Sequence, residues 1–201
     1  MSRPWVVALS AGAVVVLVIA TGVVYALLRY HSYVAPSESM APTVAAHQII
    51  FVDHFAYRDT PPRRDDVIVF MPPILTPNAY FKRVVAVPGD RLAIRGGREI
   101  LNGKPITEPY RLVRADYDLA VRDYGLWIDG ARLDADAAVV PPRAEWTAAD
   151  TVPPGCYVVL GDNRPNSQDS HAFGFFCPGR PVPGQPDVHP ALVGRALLPS
   201  R

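Results

Sequence analysis

The stretch Pro36-Ser37-Glu38-Ser39-Met40-Ala41-Pro42-Thr43-Val44 sets two hydroxyls between two prolines. Proline fixes φ and removes a backbone donor, so the expected form is an extended, pre-shaped loop rather than a helix. A serine on such a rigid edge is a candidate nucleophile once a base lies beside it. The same composition also describes an ordinary surface loop.

A candidate base lies further along, in Phe81-Lys82-Arg83-Val84-Val85. Strand alternation puts Lys82 on the face of Tyr80 and Val84, opposite Phe81, Arg83 and Val85. One of the two adjacent cations then faces water and the other faces inward. A snorkelling surface lysine is the ordinary outcome. A buried one is different, because desolvation disfavours the ammonium and leaves an amine able to take a serine proton. At its usual pKa of about 10.4 a lysine is only about 0.04% neutral at pH 7; lowered by about 3 it is roughly one quarter neutral. A third stretch, Gly161-Asp162-Asn163-Arg164-Pro165-Asn166-Ser167-Gln168-Asp169-Ser170-His171-Ala172-Phe173-Gly174, is polar and turn-forming. It reads either as a solvated loop or as a loop whose hydroxyls, amides and carboxylates brace a neighbouring site.

The elements that must position these groups begin with a membrane-length segment. Residues 4–28 carry no charge. As a helix rising about 1.5 Å per residue they span roughly 37 Å, enough to cross a hydrocarbon layer of about 30 Å with some tilt. Trp5 at one end and Tyr25, Tyr30 and Tyr33 at the other are placed as interfacial aromatics. A signal-peptide core of about 7 to 15 residues is too short to account for the run, and a retained anchor is expected. The flanking charges, Arg3 and Arg29, barely decide its orientation. Nine residues separate Arg29 from Ser39, so the serine loop stays near the membrane surface.

Beyond the anchor the chain reads as β structure. Strands are expected at 49–52, 67–70, 80–87, 91–95 and 98–101, with Asn102-Gly103 as a hairpin turn and a further strand at 156–160. The 201 residues suit one domain and an appendage, and 22 prolines argue against a helical bundle. A net charge of +1 gives no electrostatic case for nucleic acid. Two cysteines fall short of a disulfide scaffold and show no zinc spacing.

Taken in order, Pro36 to Thr43, then Arg64-Asp65-Asp66-Val67-Ile68-Val69-Phe70, then Tyr80-Phe81-Lys82-Arg83-Val84-Val85-Ala86-Val87-Pro88-Gly89-Asp90, then Gly161 to Gly174, resemble the successive boxes of bacterial type I signal peptidases. The closing Leu192-Val193-Gly194-Arg195-Ala196 fits the same pattern. The resemblance covers the anchor and most of the chain, but not about residues 107–150.

The resemblance implies a Ser/Lys dyad, with Ser39 as nucleophile and Lys82 as neutral general base, and no metal or cofactor. Ser167 is similar to the serine that orients the lysine, and Asp169 to the carboxylate that braces the loop. Ser37 resembles the hydroxyl that joins the Ser39 N–H in an oxyanion hole. Tyr33, Ala35, Met40, Val44, Tyr80 and Phe81 correspond to the lining of shallow pockets for small side chains before the cut. Two positions depart from the family pattern. His171 stands where arginine is usual, which turns a permanent charge partner of Asp169 into a titrating one and should weaken the brace as pH rises. Glu38 stands in place of glycine, which rules out any backbone conformation open only to glycine.

The expected protein is therefore mainly β: an antiparallel, barrel-like catalytic domain of signal peptidase type over 31–201, an N-terminal transmembrane helix within 1–30, and a small cap of irregular structure inserted at about 107–150. Cys156 and Cys177 can close a bridge outside the cytoplasm or remain as buried thiols. The expected function is cleavage of signal peptides after Ala-x-Ala-type sites. It is carried out on signal-peptide-bearing precursors at the extracytoplasmic face of the cell membrane, with membrane lipid as the other partner. Pilin- or conjugation-type maturation peptidases share anchor and dyad, whereas self-cleaving repressor-type peptidases lack the span. A catalytically inactive, membrane-tethered signal-peptide-binding module is the alternative of another class.

Overall fold

A computed structural model describes residues 4–111, 113–133, 141–182, 185 and 187–198. The uncharged N-terminal run forms one helix, α1 (Pro4–Arg29). Its window Gly12–Arg29 has a mean hydropathy of 2.2 and none of it is buried against protein. No polar face is needed where the surroundings are apolar on every side, which suits a bilayer and not a core. The helix meets the rest of the chain at its C-terminal end. There Tyr25 packs edge-on against Phe55 and Arg29 forks onto Asp53.

Among the described residues twelve strands follow in two antiparallel sheets. The first runs in the order β1 (Tyr30–Val34), β2 (Ile49–Asp53), β12 (Ala191–Leu197), β3 (Val67–Met71), β4 (Tyr80–Ala86) and β11 (Val158–Leu160). The second runs β10 (Ala131–Arg132), β9 (Gly125–Ile128), β8 (Leu119–Arg122), β5 (Leu92–Arg95), β6 (Arg98–Leu101) and β7 (Lys104–Pro105). The strands expected between 49 and 101 are present to within a residue or two at each end. The Gly96-Gly97 and Asn102-Gly103 turns each have both central residues at positive φ, as a two-residue hairpin with the right twist requires.

Three expectations need correction. Barrel-like is too strong a description: the first sheet curls until the Tyr33 ring of β1 meets the Phe81 ring of β4, but these strands do not pair and the sheet stays open. The region expected to be an irregular cap instead contributes β8, β9 and β10 to the second sheet. Residues 112 and 134–140 of that region lie outside the described residues. Finally, Lys82 and Arg83 are both buried, rather than one facing water. The cause is that β4 is an inner strand: Phe81 enters one apolar cluster with Ile50, Val52 and Val69, while Val84 enters another with Phe70 and Phe176. Alternation distributes side chains between two faces, and here both faces are covered.

Cys156 and Cys177 are joined by a disulfide inside the cluster that backs the second sheet, beside Phe175 and Leu126. The bridge closes the base of the long loop between them.

Candidate active site

Ser37 and Ser39 follow β1 directly. The loop differs from the extended form expected of it, because Glu38–Met40 makes a single 3-10 turn. Both prolines lie outside those three residues, so the donors needed for the turn survive, and Ala41 N–H bonds the Glu38 carbonyl at 3.0 Å. Ser37 caps the turn. Its Oγ accepts from Ser39 N–H at 3.4 Å and donates to Ser39 Oγ at 3.2 Å.

Lys82 projects from β4 onto the same serine, with Nζ 2.8 Å from Ser39 Oγ. Its side chain is 3% exposed and has no ion pair with a carboxylate among the described residues. Burial pulls its pKa down to about 8, against the opposing pull of Asp169 and Asp162. At that value about one lysine in ten is neutral at pH 7, some two hundred times more than for a free side chain. A buried amine in contact with a hydroxyl is the arrangement in which a serine can be deprotonated without histidine.

Both groups open into a cavity of about 400 Å³. Of the expected site residues, Ala35, Ser37, Ser39, Met40, Tyr80, Phe81, Lys82 and Ser167 line it. Tyr33 and Val44 do not. Val44 is fully buried in the apolar cluster with Met40, and Tyr33 leans on Phe81 while its hydroxyl meets His54 Nε2 at 3.2 Å. They back the walls instead of forming them. Ser167 Oγ is buried at the cavity with no hydrogen-bond partner among the described residues, so the expected contact with Lys82 is not made.

The polar loop is held at several points. Asp169, fully buried, accepts from Gly161 N–H at 2.8 Å and from His171 N–H at 3.2 Å, and lies 2.8 Å from His171 Nδ1. The His171 ring stacks on Tyr117 at 4.4 Å. Asn163 N–H bonds the Ser39 carbonyl at 3.1 Å, tying the loop to the nucleophile's own backbone.

Several supporting residues escaped the sequence reading. Arg83 forks onto buried Asp162 at 2.8 and 2.6 Å, and Thr43 bonds the same carboxylate. The available signal was the charge adjacent to Lys82. Arg164, with no exposure, is paired with Glu99 and Glu108 and donates to the Gly161 carbonyl at 2.9 Å. Gly161 itself is required by space: a Cβ there would collide with Ser167 Oγ and the Ser39 carbonyl. Thr76, Asn78, Asn166 and Gln168 complete the polar rim, where Gln168 accepts from the Tyr80 hydroxyl at 2.8 Å. Among the described residues no group of three or more His, Cys, Asp or Glu side chains is placed to hold a metal.

The walls also leave backbone unpaired. β11 pairs with β4 no further than Leu160↔Arg83, so among the described residues Tyr80, Phe81 and Lys82 have no strand on that side. Among the same residues β1 pairs with β2 and no other strand. Ala35 N–H and C=O are taken by Gln48 and His47, so an extended peptide laid beside Pro36–Ser37 and Tyr80–Lys82 would find its open backbone past Ala35 on the way to Ser39.

Residues 5–187 match the family described as signal peptidase, peptidase S26. Signal peptidase I of Bacillus caldolyticus is 37% identical over 86% of this chain and 80% of its own length. Signal peptidase I of Leptolyngbya laminosa is 33% identical over 81% of this chain, and the chain spans 64% of that relative's length. Signal peptidase I of Mycobacterium tuberculosis H37Rv is 31% identical over 92% of this chain and 70% of its own.

Proposed function

This chain belongs to the signal peptidase, peptidase S26 family, and from that premise we propose that it is a membrane-tethered serine endopeptidase that removes signal peptides from exported precursors. The observation that carries the mechanism is the 2.8 Å contact between Ser39 Oγ and the Nζ of a buried, carboxylate-free Lys82. Neutral Lys82 takes the Ser39 proton as Oγ attacks the scissile carbonyl. The resulting oxyanion is met by Ser39 N–H and, once its hydroxyl turns away from Ser39 Oγ, by Ser37. The lysine proton passes to the departing amine, and water then releases the acyl group by the same route in reverse. One oxyanion donor is typically worth about 3 to 4 kcal/mol to such a step.

The substrate enters as an extended strand between Pro36–Ser37 and the open side of β4 at Tyr80–Lys82. Met40 and Phe81 are each under 5% exposed and fill the cavity wall, so only small side chains fit before the cut. Asp169 acts as a positioning group for the 161–174 loop, through Gly161 N–H and His171. Residues 31–201 form the catalytic unit and α1 the anchor, with the catalytic unit outside the cytoplasm. Support for that side comes from the Cys156–Cys177 disulfide, which suits an oxidising compartment. Support for close membrane contact comes from the first sheet, which exposes Val34, Ile49, Phe51 and Leu197 on the side continuous with the end of α1.

Cleavage of a precursor carrying an Ala-x-Ala site by the detergent-solubilised full chain tests the proposal. Wild type should cut after the small residue, while Ser39→Ala and Lys82→Ala should each lose about 10³-fold or more of kcat/KM. Comparable activity in Lys82→Ala would remove the lysine from the role of base. A folded wild type that binds the precursor without cutting it would make this a binding module.

A further inference from the structure

The mechanism leaves a second polar cavity unused. It lies where α1 meets the first sheet, holds about 250 Å³, and is lined by Arg29, Asp53, Tyr57, Thr60, Arg63, Asp66 and Arg195 among others. Three arginines face two aspartates there, and both carboxylates are already committed. Asp53 takes both arms of Arg29, at 3.0 and 2.6 Å, and the Phe55 N–H at 2.9 Å. Asp66 takes the Tyr57 hydroxyl at 3.0 Å and the Arg63 N–H at 2.9 Å. The guanidinium groups of Arg63 and Arg195 have no hydrogen-bond or ion-pair partner among the described residues. The cavity therefore presents two uncommitted forked donors and a net positive charge, a combination suited to a phosphate.

Its place in the fold says where that phosphate would come from. Arg29 is the last residue of the membrane-length helix. On β12, Arg195 shares a face with exposed Leu197, and the register sets these two against Asp53 and Phe51 of β2. A single sheet face thus passes from an apolar patch of Val34, Ile49, Phe51 and Leu197 to the arginine cavity. An apolar surface edged by uncommitted cations matches the sequence of acyl chain and headgroup met on leaving a bilayer.

We propose that the Arg29–Arg63–Arg195 cavity binds the phosphate of an anionic membrane phospholipid. Arg63 and Arg195 grip the phosphate oxygens, and Arg29, fixed by Asp53, supplies charge at the helix end. The assignment rests on α1 being the membrane anchor, not on the Ser39–Lys82 chemistry.

Native mass spectrometry of the full chain in neutral detergent tests it, with phosphatidylglycerol, phosphatidylcholine and inorganic phosphate as separate probes. Wild type should retain phosphatidylglycerol in preference to phosphatidylcholine. The double variant Arg63→Gln/Arg195→Gln should bind it about 30-fold more weakly, from about 1 kcal/mol per arginine at a membrane surface. Both positions are exposed, so unfolding temperature should not change, and Arg63→Lys/Arg195→Lys, which keeps the charge but not the fork, should lose less affinity than the Gln pair. Equal retention by wild type and the Gln variant overturns the site. Displacement of phosphatidylglycerol by equimolar inorganic phosphate overturns the lipid source, and equal losses in the Lys and Gln variants overturn charge as the basis. Precursor cleavage in lipid-free detergent reads the peptidase assignment separately. Cleavage without lipid preference sinks only the lipid site, and lipid preference without cleavage sinks only the peptidase.

Discussion

Lys82 and Arg164 are both buried around the nucleophile's loop, and they meet different partners. Lys82 is 3% exposed, touches a neutral hydroxyl and has no carboxylate paired with it among the described residues. Arg164 is wholly buried and has two, Glu99 of β6 and Glu108. Burial without a counter-ion pulls the lysine toward its neutral form, down to about 8. Burial lowers the arginine by a similar amount, to about 10, and it stays charged at neutral pH because its ordinary value is 12.5. A deprotonated lysine is a base, whereas a paired arginine is a strut that joins the second sheet to the Gly161 carbonyl. What separates a reactive from a structural buried charge here is first the side chain's own basicity: a similar loss brings lysine close to neutral pH and leaves arginine well above it.

The largest effect should come from breaking the strut. Arg164→Met leaves Glu99 buried without a cation and Glu108 with Arg111 alone, at 3.5 Å, and breaking a buried pair in this way typically costs about 3 to 5 kcal/mol. Denaturant unfolding in detergent should show a loss of that size, with activity falling because Asn163 and Ser167 lose their support. Burial already raises Glu108 to about 7, so it has no spare stabilisation to give back. Replacing all three charges, as Glu99→Leu/Glu108→Leu/Arg164→Met, should recover most of the stability. A single Arg164→Met variant within about 1 kcal/mol of wild type would show that the cluster bears no load.

Removing the other cation should act with the opposite sign. The folded pKa of Lys82, about 8, lies below the ordinary value of 10.5. The unfolded chain therefore binds more protons between those values, and stability rises with pH across that window. Below pH 8 the folded state bears the full penalty, about 3 kcal/mol, and above about 10.5 none of it. Lys82→Met should accordingly be more stable than wild type at pH 7 by about that amount, the gap closing as pH rises past 10. In wild type, kcat/KM should climb with pH through about 8, because neutral lysine is the active form. A variant that is less stable at pH 7, or a rate flat across pH 7 to 9, would mean that the buried lysine is neither strained nor the base.

These opposite fates explain which parts of the molecule the sequence could reveal. The charge-free run of α1 and the strands between 49 and 101 follow from local patterns, since hydropathy and turn residues act over a few positions. Asn102-Gly103 announces its hairpin because both residues readily take positive φ. The β8–β9 hairpin turns through Asp123 and Tyr124, both also at positive φ, and a tyrosine gives no such signal. Pairing of Arg164 with Glu99 and Glu108 bridges more than fifty residues, and nothing local distinguishes those charges from solvated ones. The same is true of Arg83, whose partner Asp162 follows the neighbouring strand β11, 79 positions along the chain. Ser39, Lys82 and the 161–174 loop could be singled out together because their order matches a known family, not because spacing alone brings them into contact.

The smallest effect concerns the third charged partner of the loop, and it tests whether charge or hydrogen bonding does the bracing. Asp169 holds Gly161 N–H and receives both the backbone and the Nδ1 of His171. The ring also stacks on Tyr117, so the contact with Asp169 is not its only hold. The effect of exchanging it should be modest, about 1 kcal/mol or less for a partly exposed pair. His171→Arg supplies a permanent charge at this place, and His171→Asn keeps a donor without charge. If charge does the bracing, kcat/KM of His171→Arg should exceed that of His171→Asn by a few-fold at one pH. Equal rates would assign the brace to the hydrogen bond alone, and Asp169 would then resemble Lys82, held by neutral partners, more than it resembles the carboxylates around Arg164.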